Sequence, residues 1–282
     1  MARMKWIAFP YPDKSFDYAG DKLAKNWAAL HDGDQEPFPD EKWAASAIKA
    51  APQPKLKLDA AMLANASQDA WRAFHRGDFG DAFDRGDKLG VWGAVVACKS
   101  QGIHAARLIE DDKTRMSELQ SAMHRALEAA TKWPAATNAH YQHALALGRY
   151  SQAISIAQAL TQGLAGKVKA SLDATLKLAP KHAEAMLALA MYHAEIVAKV
   201  GSMIAGLTYG AKASIAEQNM TAALKLIPKA PIVHIEHGNL LMALHGSKRE
   251  DEAAAAYARA AALKPRDAME ALDAAYATSQ IE

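Results

Sequence analysis

The chain has 282 residues, of which 51% are apolar and only 7% aromatic. Its 33 basic and 31 acidic side chains nearly cancel, so the overall charge predicts no general attraction to nucleic acid or to a membrane, although it does not exclude a local basic patch. The single cysteine, Cys98, cannot form an internal disulfide, and its apolar neighbours predict a small buried side chain.

Helix signals dominate the chain, and strand signals are nearly absent. Much of the apolar content is alanine, which favours helices and is depleted in strands. Turns containing glycine or proline separate the helical stretches, because proline cannot continue a helix interior. The segment 150–178 is expected to break near Gly163 and Gly166, which weaken a helix. The predicted helices cover residues 15–32, 40–51, 56–76, 81–100, 103–132, 135–147, 150–178, 181–200, 212–227, 230–245, 249–263 and 265–279.

A recurring phrase ends one apolar helix at a proline and starts the next. It reads "ATLKLAPKHAEA", "AALKLIPKAPIV" and "AAALKPRDAMEA". Two helices joined in this way form a hairpin that cannot bury its apolar stripe alone, whereas stacked hairpins bury a continuous core. The pattern therefore predicts an all-α fold, an α-solenoid of about six helix hairpins. The prolines of the phrase, including two shorter versions, are Pro52, Pro134, Pro180, Pro228 and Pro265.

The last repeat resembles a known family. In "HGNLLMALHGSKREDEAAAAYARAAALKP" a turn glycine, Gly246, precedes Ala253, which lies four residues before Tyr257, and Pro265 closes the unit. This arrangement resembles the tetratricopeptide repeat (TPR), a helix pair of about 34 residues. The resemblance implies a TPR-like superhelix whose concave groove binds a protein or peptide partner.

The resemblance also implies the domain organisation. Residues 1–14 are expected to be an N-terminal extension, and residues 15–282 a single TPR-like solenoid. Its repeats are divergent over 15–133 and closer to the family over 134–282. The region 185–240 is also similar to bacterial repeat proteins related to the T-components of TRAP carboxylate transporters, and to microtubule-dynamics regulators. This similarity implies an alternative function, a component associated with transport that binds a small organic acid.

Two stretches with one pattern, "WAALHDGD" and "WRAFHRGD", occupy residues 27–34 and 71–78. Each has a tryptophan three residues before a bulky apolar side chain, so both lie on one helix face. The histidine that follows sits near a helix C-terminus, where it complements the helix dipole. Gly33 and Gly77 are expected to adopt the left-handed conformation that ends many helices. The duplication therefore indicates architecture rather than a duplicated active site.

Motifs for catalysis are missing from the sequence. The letters "HRGDFGD" resemble part of a kinase, but the glycine-rich loop and the strand-borne lysine of a kinase are absent. No phosphate-binding loop, dinucleotide fingerprint or nucleophile elbow occurs. The aspartates of this region recur every third residue, which is not the register of a calcium loop, and indicate a solvated helix face. They are Asp78, Asp81, Asp84 and Asp87.

Two histidine pairs, His140 with His143 and His234 with His237, have the i, i+3 spacing that could supply two metal ligands on one helix face. Neither pair belongs to a fuller metal-binding motif, so packing or surface roles are expected for them. We therefore expect no metal, no cofactor and no enzymatic activity. An enzyme whose site lacks a recognisable motif stays as a further alternative.

Six polar residues are candidates for contacts with a partner in the groove. Glu195 and Lys199 are four residues apart in the favourable order for an ion pair on an otherwise apolar helix. The structural alternative for the set is an ion pair and a loop anchor. The candidate binding residues are Tyr150, Gln152, His193, Glu195, Lys199 and Tyr209.

The sequence predicts a cytoplasmic protein. The N-terminal stretch has no apolar core of signal-peptide length before Pro10 and Pro12. The most apolar stretch, residues 185–211, carries His193, Glu195 and Lys199, each of which is costly in hydrocarbon. We therefore expect no stable membrane insertion and a non-catalytic scaffold that binds a protein or peptide, with no role for nucleic acid.

Overall fold

The computed structural model describes residues 5–281, which form α-helices and short 3-10 turns without any strand. The all-α class predicted from the sequence is confirmed. The helices are α1 Lys22–Leu30, α2 Glu41–Ala50, α3 Ala60–Arg76, α4 Phe79–Lys88, α5 Ala94–Arg107, α6 Asp112–Lys132, α7 Thr137–Ala153, α8 Ile156–Thr161, α9 Leu164–Leu178, α10 Ala183–Tyr209, α11 Ala213–Leu226, α12 Pro231–His245, α13 Glu250–Ala261 and α14 Ala268–Ser279.

The chain folds into two compact units. Unit 1 contains the residues up to Leu30, Glu36–Ile154 and Asp267–Met269. Unit 2 contains His31–Gln35, Ser155–Arg266 and the residues from Glu270 onward. A short piece of chain from a distant part of the sequence therefore completes each unit.

In unit 1 each helix from α2 to α7 packs on the next one along the chain. The centre of this packing combines small and large side chains, with Ala44 and Ala47 of α2 against Leu63 of α3 and the ring of Trp92. The indole N–H of Trp92 donates to the carbonyl of Ala51 at 2.9 Å. Alanine lets the helices approach closely, and the buried tryptophan fills the space between them while its polar atom is satisfied.

Three helices in unit 1 begin with an aspartate whose side chain caps the helix N-terminus. The carboxylates of Asp40, Asp59 and Asp111 each accept the backbone N–H three residues later, at 2.7–2.8 Å. These bonds satisfy donors that the helix itself leaves without partners. For Asp111 the bonds from Thr114 also lower the pKa of the carboxyl group. Such caps decide where α2, α3 and α6 begin.

The ends of several helices are set by the recurring proline. A residue before proline is disfavoured in the helical region, and at four positions it has φ between −135° and −127° with ψ between 53° and 87°. After four of the prolines the next helix begins three residues later, at Thr137, Ala183, Pro231 and Ala268. The predicted helix stops at the proline phrase are therefore confirmed. The four residues before proline are Ala51, Trp133, Ala179 and Ile227.

In unit 2 consecutive helices from α9 to α13 pack on one another, and α10 also packs on α12. The central cluster is built on α10, where Ala183, Leu187, Ala190 and Ala194 lie on one face. Their three- and four-residue spacing gives a continuous apolar stripe. Helix pairs joined by a proline turn thus recur through the unit, which is the local arrangement that a helix-hairpin repeat requires.

Several predicted helices differ from the observed ones. The helix predicted over 103–132 is the last part of α5 and the whole of α6, because residues 108–111 are not helical. The helix predicted over 15–32 begins only at Lys22. The helix predicted over 81–100 is two helices, because Gly90 adopts φ +60° and starts a 3-10 turn before α5 begins at Ala94. The segment 150–178 breaks as expected at Gly163, where φ is +62°. The helix predicted to end at residue 200 continues to Tyr209 through a kink at Gly201.

The tryptophans of the two duplicated motifs pack against each other. The rings of Trp27 and Trp71 are edge to face with their centroids 5.6 Å apart, in the aromatic core of unit 1. Gly77 ends α3 with φ +94°, as predicted. The prediction for Gly33 is wrong, because the left-handed residue of that turn is Gln35 with φ +51°.

Candidate functional site

The six candidate residues from the sequence fall in both units. Tyr150 and Gln152 lie on α7 in unit 1, and the other four lie on α10 in unit 2. Tyr150 is buried and its hydroxyl accepts a hydrogen bond from Nε2 of Gln120 at 3.1 Å, whereas Gln152 is exposed. The contacts of Tyr150 are thus those of a residue that joins α6 to α7.

His193 is buried on α10 and ties this helix to the chain that follows it. Its Nδ1 accepts the backbone N–H of Lys212 at 3.3 Å, and its ring meets Tyr192 edge to face. Burial, and then the charge of Lys169, lowers the pKa of His193, so the folded protein favours the neutral imidazole. A neutral imidazole is also what the bond from Lys212 requires, because a protonated ring has no acceptor.

The bond between Lys212 and His193 shows that α10 turns back on itself. In a straight helix residue 209 would lie about 24 Å further along the axis than residue 193. Gly201 has φ +78° and ψ 155°, a conformation outside the helical region that suits glycine alone. Residues 183–200 and 202–209 are therefore two helices that meet at Gly201. Burial raises the pKa of the Tyr192 phenol most, followed by Asp173 and then by Tyr209, which the kink returns to the neighbourhood of Tyr192.

Glu195 and Lys199 form the ion pair that their spacing predicts, with Oε2 and Nζ 3.6 Å apart. The lysine side chain is 46% exposed and the glutamate 27%, so the pair faces solvent and contributes little to stability. The structure thus brings His193 and the 209–212 turn together, and it places the ion pair on an exposed part of the same helix.

One histidine of each i, i+3 pair has a structural role. Nε2 of His140 lies 2.9 Å from the carbonyl oxygen of Pro134, and Nε2 of His234 lies 2.9 Å from that of Pro228. In both cases a histidine six residues after the proline contacts the proline carbonyl, and this contact stabilises the turn. Over residues 5–281 no group of three or more His, Cys, Asp or Glu side chains is arranged to hold a metal ion. Cys98 is buried as predicted, and burial raises the pKa of its thiol to about 12.

A site that the sequence did not predict lies at the start of the described chain. Residues 5–11, here called the strap, have no helix or strand of their own and pack on α4 and α5 of unit 1. The indole of Trp6 packs on Phe83 and on His104, with ring centroids 5.3 Å and 4.5 Å apart. Phe9 meets Phe79 edge to face at 6.2 Å. Two aromatic side chains three residues apart therefore anchor the strap.

Glycines form the floor under both anchors. A Cβ atom added at Gly80 would lie 2.8 Å from Cγ of Trp6, and one added at Gly77 would lie 2.5 Å from Cδ1 of Phe9. Both distances are too short for a real contact, so only glycine allows the rings to sit this deep. The "HRGDFGD" stretch that resembles a kinase motif thus supplies three residues of the seat of the strap. We call this seat the strap groove, and it consists of Gly77, Phe79, Gly80, Phe83 and His104.

One backbone hydrogen bond sets the position of the strap. The N–H of Ile7 donates to Nε2 of His104 at 2.9 Å, and Nδ1 of the same ring lies 3.1 Å from Oε2 of Glu118. Since Nε2 accepts, the ring proton is on Nδ1 and points to the carboxylate. His104 and Glu118 are both buried. The buried carboxylate thus holds the imidazole in the tautomer that accepts a peptide N–H.

A cation holds the Phe83 ring of the groove. The guanidinium of Arg125 lies over the ring of Phe83, 4.6 Å from its centroid. Arg125 is held in turn by Asp87 at 3.0 Å and by Gln101 at 2.8 Å. The ring that contacts Trp6 is thereby also held by Arg125, so this part of the groove has a defined shape.

Comparison with known proteins adds no assignment. The chain matches no protein-family model, and no curated protein matches it at a significant level. The strap groove could have been suspected from the aromatic "WIAFPY" stretch ahead of the first helix and from a glycine in the first turn of α4, where glycine is a poor helix former. His104 carried no such signal.

Proposed function

We propose that this chain is a non-catalytic scaffold of TPR-like helix hairpins that binds a protein partner through an extended aromatic segment of that partner. The observation that carries the proposal is the strap, a segment without helix or strand that Trp6 and Phe9 seat in the strap groove. In this proposal the chain needs neither a metal nor a cofactor, and it works in the cytoplasm.

The repeated proline turns support the scaffold part of the proposal. Hydrogen bonds from Ala136 to Trp133, from His182 to Ala179 and from Ala230 to Ile227 close the same turn three times, at 2.9–3.1 Å. Equal turns between amphipathic helices favour a regular stack of hairpins, which is the arrangement inferred from the TPR resemblance. Such stacks commonly present grooves to extended peptides.

The mode of recognition follows from the groove itself. Extended peptides are often held by a few side-chain pockets together with backbone hydrogen bonds. Here Trp6 and Phe9 fill the glycine-floored seats, and His104 accepts one backbone N–H. A ligand with aromatic side chains three residues apart would make the same contacts, so we infer that the partner carries this spacing.

The strap competes with such a partner. A segment tethered beside its own seat acts at an effective concentration on the order of millimolar. A partner must bind the groove tightly enough to displace the tethered strap, or bind after the strap has dissociated from the groove. The groove therefore selects strong ligands, and removing the anchors of the strap should make it more available.

The test compares three full-length proteins immobilised in native lysate. They are the wild type, a Trp6→Ala/Phe9→Ala variant with an open groove, and the same variant with Gly80→Leu, which fills the seat of Trp6. A partner of this groove is retained most by the open variant and is lost when the seat is filled. Equal retention by all three, with equal helix content by circular dichroism, would show that the groove is not the binding surface.

A further inference from the structure

A second surface, independent of the strap groove, lies on the helix after the kink of α10. Met203, Ile204 and Leu207 are 78%, 53% and 85% exposed. Their positions i, i+1 and i+4 place them on one face of the helix 202–209. Ala205, on another face, is fully buried. The helix is thus amphipathic with its larger apolar side chains turned outward, the reverse of a core helix.

The fold holds this face in place. Gly201 supplies the turn before the helix, and the bond from the Lys212 N–H to His193 fixes the chain after it. Tyr209 and Gly210 end the helix, with Gly210 in the left-handed conformation. Both ends of the helix are therefore anchored, so the exposure of the three side chains belongs to the folded state.

The helix belongs to the most apolar part of the described chain. By length and composition alone Ala183–Tyr209 could cross a membrane, with a mean hydropathy of 1.3 over an 18-residue window of which 28% is buried. The kink divides it into halves of which neither reaches the about 20 residues that a spanning helix needs. An amphipathic half-helix of this kind suits the surface of a bilayer instead.

The charges around the face indicate which surface it meets. Between Glu195 and Glu217 the sequence contains two charged residues, Lys199 and Lys212, and each lies just outside one end of the helix. Lys199 also pairs with Glu195, and Lys212 is exposed. This arrangement complements an anionic lipid surface.

The size of the face argues against a protein as its occupant. A stable protein interface takes about 800 Å² from each partner, and three side chains on a two-turn helix provide much less. Anchoring at a lipid surface can use a few apolar side chains and nearby lysines. We propose that the face formed by Met203, Ile204 and Leu207 docks this chain reversibly on an anionic lipid bilayer, with Lys199 and Lys212 against the headgroups.

Co-sedimentation with vesicles tests the proposal. The full-length wild type is mixed with vesicles of phosphatidylcholine, with or without phosphatidylglycerol. We expect binding to the anionic vesicles that weakens with added salt. A Met203→Ser/Ile204→Ser/Leu207→Ser variant should bind them at least about ten-fold more weakly, since it loses three inserted side chains. Lys212→Gln should weaken binding by roughly five-fold.

The matched control is Leu178→Ser, which removes an exposed leucine elsewhere in unit 2. It should bind the anionic vesicles like the wild type, and all variants should keep the wild-type helix content. Absence of binding by the wild type, or equal binding by the triple variant, overturns the proposal. Analytical ultracentrifugation gives a further check: self-association that only the triple variant loses, without lipid binding, would assign the face to a second copy of the chain instead.

Discussion

The carboxylate of Asp267 lies 2.7 Å from Nδ1 of His75, although 192 residues separate the two in the chain. Both side chains are buried, with 3% and 1% of their surface exposed. His75 stacks on Trp71 and belongs to the aromatic core of unit 1. The residues near the C-terminal end of the sequence thus complete a core that the first helices build.

Removing this carboxylate should destabilise the protein. Asp267→Ala takes a partner from a buried imidazole, and losing one side of a buried polar pair costs about 2–4 kcal/mol. We expect the free energy of unfolding in denaturant to fall by that amount. Glu128→Ala, at an exposed carboxylate within α6 that pairs with Lys132, is the control and should change it by less than about 0.5 kcal/mol. Equal effects would contradict a structural role for the buried pair.

Gly80→Ala should change the free energy of unfolding in opposite directions in the wild type and in a Trp6→Ala variant. In the wild type Gly80→Ala places a Cβ against Trp6, so the strap is displaced and stability decreases. In a Trp6→Ala background the same change meets no indole, and replacing a helical glycine by alanine stabilises by up to about 1 kcal/mol. The measurement is a double-mutant cycle of unfolding free energies. Additive effects of the two substitutions would mean that Trp6 does not occupy this seat.

The stability of the protein should decrease in mild acid in part through His193. Burial lowers the pKa of this imidazole below its ordinary value of 6.5, so the unfolded chain binds more protons in the window between the two values. Its contribution to stability is therefore full above pH 6.5 and is lost as the pH falls through the lowered pKa.

His193→Gln removes this titration but keeps an oxygen that can accept the N–H of Lys212. We expect unfolding free energies measured from about pH 7 to about pH 5 to fall less steeply in the variant than in the wild type. His124→Gln, at an exposed histidine, is the matched control. A slope that is the same for all three proteins is the result that excludes His193 as the source.

The two proline turns fastened by histidine should differ in their sensitivity. His234 is buried, so His234→Ala should lower the unfolding free energy by about 1 kcal/mol through the lost bond to the Pro228 carbonyl. The bond of His140 to Pro134 is exposed, and His140→Ala should cost less than about 0.5 kcal/mol. Denaturant titration of both variants checks the order, and a larger loss at His140 would contradict it.

Local signals explain why much of the fold could be predicted. The proline phrase acts on its own neighbours, because proline restricts the residue before it, and so the stops at Pro134, Pro180 and Pro228 are seen in the sequence. The kink at Gly201 is not predicted, because no residue near it in the sequence indicates that the chain returns to His193. The sequence predicts a left-handed conformation at Gly33 as well as at Gly77, but the chain after Leu30 joins unit 2 and turns at Gln35 instead.

The sites were harder to predict than the helices, because they depend on distant contacts. Glu195 and Lys199 are neighbours on one helix turn, so their pairing follows from spacing. The seat of Trp6 needs Gly80, Phe83 and His104, which come from two helices and approach the strap only when the chain folds. The spacing of these residues in the sequence therefore does not predict their contacts with Trp6.

The central claim is that the strap groove binds an extended aromatic peptide. Its most direct test is a fluorescence-anisotropy titration with a labelled peptide of residues 5–13, KWIAFPYPD, against the full-length Trp6→Ala/Phe9→Ala variant. The control peptide has alanine at the tryptophan and phenylalanine positions. We expect saturable binding of the native peptide that is at least about ten-fold tighter to the open variant than to the wild type, whose own strap competes. No saturable binding to the open variant, or equal binding of the control peptide, would contradict the claim.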